Sequence, residues 1–193
     1  MATEMQLARY KDLNIILQKQ QGRLEPRAIF RLWSDIDEYM SYQFQRFTEL
    51  LLMHGIKECL VVINSPGGNL FDSISMIENV SLLQFNGIQV RTCVRGLAGS
   101  GGALVFLAGN PRGMAASSWI YVHRLSFPSK TRVALDAAQK DARDYATIMN
   151  SVEERVSQNT KIPLRKVKRA FRNSSWISAE QALSEGWCTV IAP

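Results

Sequence analysis

The sequence predicts an α/β fold built on parallel strands. Apolar runs short enough to be strands alternate with segments of helical spacing, and glycine-rich joints separate them. The run over residues 59–63 is continuously apolar, which is typical of a strand covered on both faces. Such alternation places helices against a parallel sheet through right-handed crossovers. No internal repeat or linker-like stretch divides the 193 residues, so we expect an N-terminal arm over 1–25 and a single domain over 26–193.

The first predicted elements follow a polar, glutamine-rich segment over residues 1–25, which we expect to be a helix or a mobile arm. A short strand over 28–32 comes next, and then a helix over about 37–53. The helix is predicted from apolar residues at helical spacing, which we assign to core packing: Met40, Phe44, Phe47 and Leu51.

The middle of the chain is predicted as strand–helix–strand repeats. Strands are expected at 59–63, 88–94 and 119–122. The first is followed by a helix with Leu70, Ile74 and Ile77 on one side, and Gly87 ends that unit. The second leads through a glycine-rich break into an apolar helix over 103–108.

A long helix over about 133–159 dominates the remainder. Its apolar residues form a coiled-coil-like seam: Ala138, Ala142, Tyr145, Met149, Val152 and Val156. Such a helix either lies on its own domain or meets a partner subunit. A short helix begun by Pro163, a helix over 178–184 with a Ser178–Gln181 capping box, and a strand over 187–191 complete the prediction.

Composition and charge narrow the classes of function. The chain carries 23 basic and 17 acidic residues, a net charge of +6. The basic cluster at 161–172 fits the solvated face of a helix better than a nucleic-acid surface. The longest strongly apolar run, 103–108, is far shorter than the ~20 residues that cross a membrane, so neither nucleic acid nor membrane is an expected partner. Three cysteines without metal-ligand spacing indicate a reducing compartment, either the cytoplasm or an organellar stroma or matrix.

Candidate chemistry gathers after two predicted strands. The segments 66–68 and 96–102 are glycine-rich and lead into helices, and the second contains Ser100. Glycine alone leaves a tight turn and an anion-binding site equally open. His123 follows the strand 119–122, so it is expected at the sheet edge where catalytic groups collect and where Ser100 also lies. His54 is expected to be an exposed loop residue.

Four motifs in order give a more specific result. Residues 63–68 read INSPGG, residues 96–103 read GLAGSGGA, residues 120–123 read IYVH, and residues 176–179 read WISA with Gly186 following. Over residues 27–190 the chain resembles the proteolytic subunits of the Clp (caseinolytic) ATP-dependent proteases, serine peptidases of the crotonase-like spiral fold. Their corresponding segments read INSPGG, GQAASMGA, IMIH and FLSA.

The resemblance implies a serine peptidase subunit that cleaves peptides or unfolded proteins. Ser100 would be the nucleophile and His123 the general base, with the backbone amides of Gly68 and Gly101 as the oxyanion hole. The helix at 133–159 would be the family's handle helix, which interlocks stacked heptamer-like rings of this chain or a paralogue. The resemblance implies no cofactor and no metal, since ATP is used only by a partner AAA+ unfoldase of the Clp family.

One position departs from the family. Ser174 stands where the family has the triad aspartate, and no acid lies between Glu154 and Glu180. The sequence therefore predicts reduced activity. It leaves two alternatives: a ring-forming structural subunit that does not cleave, and a crotonase-type acyl-CoA enzyme. Retention of Ser100 and His123 favours the peptidase, and the motif segments offer no glutamate base for the acyl-CoA reading.

Overall fold

Residues 18–20, 23–124 and 135–192 are described by a computed structural model of the chain. Their strands are β1 (Gln18–Gln20), β2 (Arg23–Leu32), β3 (Glu58–Ser65), β4 (Gln89–Gly99), β5 (Arg112–Ala115), β6 (Trp119–Val122), β7 (Ser175–Ser178) and β8 (Val190–Ala192). Their helices are α1 (Glu38–Met53), α2 (Leu70–Phe85), α3 (Gly101–Ala108), α4 (Leu135–Thr160), α5 (Leu164–Arg172) and α6 (Ala179–Glu185). Strands and helices alternate through the centre of the chain, which confirms the predicted α/β fold.

The sheet is parallel except at two places. Strands β2, β3, β4, β5 and β8 are neighbours in that order and run parallel, whereas β1 pairs antiparallel with β2. Strand β4 changes partner along its length: Thr92–Val94 pair with β5, and Leu97–Gly99 pair with β6. This second pairing is parallel, so the carboxyl ends of β4 and β6 lie side by side. Strand β7 pairs antiparallel with β6.

The predicted core of α1 is confirmed. Met40, Phe44, Phe47 and Leu51 are all buried, and the Phe44 ring meets that of Phe30 from β2 edge to face, with centroids 4.9 Å apart. Asp37 caps this helix by accepting a hydrogen bond from the Met40 amide. Burial of this aromatic group attaches α1 to the sheet.

The strands differ from the prediction at several boundaries. Strand β2 begins at Arg23, and the described part of residues 1–25 is strand rather than helix. Strand β4 continues to Gly99 instead of ending near residue 94, because its glycine-rich end still pairs with β6. Strands β5 and β7 were not predicted, and β8 begins at Val190 instead of residue 187. Strands β5 (RGMA) and β7 (SWIS) are four residues long and mix polar residues with apolar ones, whereas β6 (WIYV), of the same length, is a continuous apolar run.

The apolar seam of α4 is divided between two environments. Met149, Val152 and Val156 are buried against the chain's own domain. Ala142 is exposed and Tyr145 is half-buried, while the side chain of Ala138 lies outside the described residues. The C-terminal half of the seam therefore has its partner within the chain. None of the helices in the described ranges is both long and apolar enough to span a membrane.

Candidate active site

The turn after β3 is fixed by the polar residues of the INSPGG motif. The Oδ1 atom of Asn64 accepts a hydrogen bond from the Leu97 amide, 3.1 Å away near the end of β4. Ser65 donates to the carbonyl of Ser34 at 2.6 Å and accepts from the amide of Gly67 at 3.1 Å. These bonds join the turn after β3 to its neighbours on both sides.

Gly67 and Gly68 allow this turn to touch the turn that carries Ser100. Gly67 has φ +102°, and a Cβ there would lie 2.6 Å from the Gly99 oxygen and 2.7 Å from the Gly101 nitrogen. The Gly67 carbonyl accepts a hydrogen bond from the Ile36 amide, and the Asn69 amide donates one to the Ile36 carbonyl. The Gly68 amide lies between these two hydrogen-bonded groups along the chain. Among the described contacts the Gly68 N–H donates to no backbone oxygen, which leaves it available to a ligand.

Ser100 lies at the sharp turn between β4 and α3. Its backbone has φ +48° and ψ −119°, a conformation that costs a non-glycine residue of order 1–3 kcal/mol. The Ser100 amide donates to the carbonyl of Tyr121 at 2.7 Å, so the turn is attached to β6. Gly101 is the first residue of α3, and its N–H therefore has no acceptor within the helix.

The structure brings Ser100 and His123 together. The Nε2 atom of His123, just beyond β6, lies 3.0 Å from the Ser100 Oγ atom. Parallel pairing of β4 and β6 produces this proximity, because both residues follow the carboxyl ends of adjacent strands. A serine hydroxyl within hydrogen-bond reach of an imidazole is the arrangement of an activated nucleophile.

The other ring nitrogen of His123 meets a backbone carbonyl. Its Nδ1 atom lies 3.0 Å from the oxygen of Arg124. Ser174, which the sequence resemblance aligns with the triad aspartate, is exposed and has φ +50°. Within the described ranges, Nδ1 bonds to Arg124 and not to Ser174. The two residues are nevertheless neighbours, since the amides of both Arg124 and Ser174 donate to the carbonyl of Phe171.

Arg124 is held from the side of α4. Its Nε and Nη2 atoms donate to the two carboxylate oxygens of Glu153, each at 2.8 Å, and Nη2 also lies 3.3 Å from Oδ1 of Asn150. The Glu153 side chain is fully buried. Hydrogen bonding to this carboxylate raises the pKa of Arg124, against a smaller lowering by desolvation. No sequence signal indicated either residue, because their pairing depends on where α4 lies.

Two aromatic rings form a stack with the imidazole ring of His123. The Tyr121 ring stacks on the imidazole with centroids 5.2 Å apart, and Trp176 of β7 stacks on Tyr121 at 4.5 Å. Sequence reasoning missed this stack. The alternation of β6 was the available signal, because residues 121 and 123 fall on one face of a strand.

A narrow pocket collects the candidate residues. Its lining contains all four residues that the sequence proposes for catalysis and oxyanion binding, together with an apolar wall: Gly68, Ser100, Gly101, His123, Leu70, Leu104, Met149 and Phe171. His54 lies elsewhere, exposed at the C-terminal cap of α1. Across the described part of the chain, no three His, Cys, Asp or Glu side chains are grouped so that they could hold a metal ion.

Fold and site together define a class: an α/β protein with a serine–histidine pair at the carboxyl edge of a parallel sheet, beside free backbone amides. The model of the Clp protease family matches residues 15–192, nearly the whole chain. The chain therefore belongs to the Clp protease family.

A comparison with individual proteins finds a distant relative. The chain is similar to the ATP-dependent Clp protease proteolytic subunit 2 of Streptomyces coelicolor, with 25% identity over 132 residues. The aligned region is 67% of this chain and 59% of that protein. The match therefore spans less than two thirds of the relative's length.

Proposed function

We propose that the chain is a serine-type endopeptidase subunit of a Clp-type self-compartmentalised protease. The observation that carries the proposal is the 3.0 Å contact between Ser100 Oγ and His123 Nε2. Ser100 and His123 line the same pocket as Gly68 and Gly101. The proposed substrates are polypeptides, and the proposed reaction requires no cofactor or metal in this chain.

The chemistry follows from these positions. Ser100 Oγ attacks the peptide carbonyl carbon while His123 Nε2 takes the hydroxyl proton. The carbonyl oxygen becomes an oxyanion, which the N–H groups of Gly68 and Gly101 stabilise. His123 then returns the proton to the leaving amine as the C–N bond breaks. Water hydrolyses the acyl-enzyme through the same two proton transfers.

The third member of the triad is atypical in this proposal. A neutral carbonyl at Nδ1 can hold the tautomer of His123, but it stabilises the imidazolium less than a carboxylate does. We therefore expect slower turnover than a complete triad would give. The same observation supports a second candidate function, a ring-forming structural subunit that does not cleave.

Covalent labelling separates the two candidates. A fluorophosphonate probe should label the assembled protein at Ser100, and Ser100→Ala should abolish labelling, because only an activated hydroxyl displaces fluoride at a useful rate. Ser184→Ala, which removes a surface hydroxyl from α6, is the matched control and should leave labelling unchanged. Equal labelling of wild type and Ser100→Ala would contradict Ser100 as the nucleophile, and an assembled wild type that is not labelled would favour the structural subunit.

Assembly forms the second part of the proposal. We propose heptamer-like rings of this chain or a paralogue, with α4 as the handle helix of a crotonase-like spiral and residues 1–25 as an arm. A Clp-family AAA+ unfoldase is the proposed partner, in the cytoplasm or an organellar stroma or matrix. Family membership supports this arrangement, as does the exposure of Ala142 in the α4 seam. Sedimentation at micromolar concentration should show a ring-sized particle, and a ~22 kDa species would contradict the assembly.

A further inference from the structure

His123 has three described neighbours, and one of them leads to a buried charge that the proposed mechanism does not use. Nε2 meets Ser100, the ring face meets Tyr121, and Nδ1 meets the Arg124 carbonyl. Arg124 in turn binds Glu153, a carboxylate of α4 with no solvent exposure. A buried carboxylate needs a partner, and Arg124, the residue after the candidate base, is the partner of Glu153; the pair therefore ties α4 to the residue next to His123.

We propose that Arg124, clamped by Glu153 and Asn150, is the positioning residue that orients His123 through its backbone carbonyl. This inference rests on the proposed function. In it, the carboxylate that this family places directly on the histidine is replaced by a carboxylate acting through one intervening residue.

The tautomer of His123 depends on that carbonyl. For Nε2 to accept the Ser100 proton, the imidazole proton must be on Nδ1, and Nδ1–H then needs an acceptor. The Arg124 oxygen, 3.0 Å away, is that acceptor. A carbonyl that moved away would free the ring to rotate or to carry its proton on Nε2, and Ser100 would lose its base.

Three attachments hold the carbonyl in place. The Arg124 amide donates to the Phe171 carbonyl at 3.0 Å. The guanidinium forms a bidentate pair with Glu153, the planar geometry that fixes an arginine most firmly. Asn150 adds a weaker contact at 3.3 Å. Arg124 is thus fixed at both its backbone and its side chain.

Charge balance gives Glu153 a second role. His123 becomes cationic when it takes the Ser100 proton, and an unpaired guanidinium on the next residue would oppose that charge. Glu153 neutralises Arg124, so the imidazolium forms beside a neutral pair. Glu153 and Asn150 both belong to α4, and therefore the placement of this helix bears directly on the base.

The test compares two isosteric substitutions in ion pairs that attach α4 to the body, a buried carboxylate at Glu153 and an exposed one at Glu78. Glu153→Gln removes the negative charge that pairs with Arg124. Glu78→Gln removes the negative charge that pairs with Arg155 of α4, an ion pair that also attaches this helix to the body but does not contact His123. On confirmed oligomers with a short fluorogenic peptide, Glu153→Gln should lower kcat about 10- to 100-fold, the loss that a small misplacement of a catalytic group causes. KM should change less than about threefold. Glu78→Gln should retain the wild-type kcat and KM.

A readout independent of catalysis accompanies the kinetics. The chain has two histidines, so ¹⁵N-histidine labelling together with His54→Asn leaves the His123 ring alone for NMR. Wild type should show the Nδ1–H tautomer, and Glu153→Gln should show a mixture of both tautomers. If Glu153→Gln does not assemble, Arg124→Lys retains the charge, loses the bidentate pair and should show the same mixture.

The outcomes distinguish this inference from the proposed function. A single Nδ1–H tautomer in wild type and in both variants would overturn the positioning role, as would an Nε2–H tautomer in wild type. Wild type that fails to react with fluorophosphonate would instead contradict the peptidase proposal, while the NMR comparison would still decide whether Arg124 orients the ring.

Discussion

The two halves of the candidate site are built in different ways. Ser100 is positioned by backbone: a strained turn, two glycines of the neighbouring turn and the first amide of a helix. His123 is positioned by side chains and carbonyls that come from distant parts of the chain, including Arg124, Glu153 and Phe171. The nucleophile half is therefore encoded in short motifs, whereas the base half depends on tertiary packing.

The difference predicts different tolerance to substitution. Two turns packed backbone to backbone leave no volume for an added methyl group, and the surrounding backbone moves only at high cost. In the network of side chains around His123, a substitution removes one contact and leaves the others in place. Of the substitutions described below, those that add a methyl group in the Ser100 half should thus have larger effects on activity than those that remove a single contact of His123.

Gly67→Ala should have the largest effect. Its methyl group would lie 2.7 Å from Cβ of Ser100 and 2.7 Å from the Gly101 nitrogen, so the proposed nucleophile and a proposed oxyanion donor must both shift. We expect kcat/KM to fall at least ~100-fold. Gly87→Ala is the matched control, because Gly87 also has positive φ but has no atom within 4 Å of the added methyl. It should cost about 1 kcal/mol of stability and leave kcat/KM unchanged. Equal activity of the two variants would contradict the proposed crowding.

Gly101→Ala should rank second. The added methyl would meet the Oγ atom of Ser73, a buried hydroxyl that donates to the Asn69 carbonyl. Overpacking of this kind costs about 1–3 kcal/mol and would displace the Gly101 amide. We expect a kcat/KM loss of about 10-fold, measured with a thermal melt to separate stability from activity.

Ser73→Gly provides the relief test for that variant. Removing both Oγ and Cβ at position 73 makes room for the methyl group at position 101. The double variant should regain most of the activity that Gly101→Ala loses. If the double variant is no more active than the single one, steric displacement of the amide is not the cause.

Tyr121→Leu examines the base half and should have a smaller effect. The Tyr121 ring stacks on His123 and would attract the imidazolium of the proposed mechanism. An interaction of about 0.5–1 kcal/mol corresponds to a two- to fivefold loss of kcat. Tyr121→Phe preserves the ring and should retain full kcat. A loss of equal size in both variants would point to the hydroxyl rather than the stack.

The sequence predicted the parts of the molecule that depend on local chain properties. The stripe of α1, the apolar strand β3 and the glycine-flanked Ser100 each carry their signal within a few residues. The parallel direction of the strands predicted that Ser100 and His123 lie at one sheet edge, and their 3.0 Å contact depends on the pairing of β4 with β6, which the sequence did not predict.

The parts that were missed depend on tertiary contacts. Strand β7 forms by pairing with the edge of β6, and its residues SWIS lack the continuous apolar run that predicts β6. The acceptor of the His123 Nδ1 hydrogen bond is a main-chain oxygen. Every residue has such an oxygen, so the residue types in the sequence do not predict which one accepts this bond. For the α4 seam the sequence left open whether it lies on its own domain or meets a partner subunit; Met149, Val152 and Val156 are buried within the chain, which depends on where the body of the domain lies.

Ser174→Asp should have the smallest effect, and it tests whether the base half can accept the carboxylate that the family places there. Ser174 adopts φ +50°, a left-handed conformation that aspartate tolerates well, so folding should be unaffected. Its side chain is exposed, and His123 Nδ1 already bonds to the Arg124 carbonyl. We therefore expect kcat to remain within about twofold of wild type. The measurement is peptide hydrolysis from pH 5 to 9 on confirmed oligomers, with Ser174→Asn as the uncharged control. A gain of tenfold or more for Ser174→Asp alone would mean that the new carboxylate displaces the carbonyl at Nδ1, and that the side chain at position 174 can complete a triad after all.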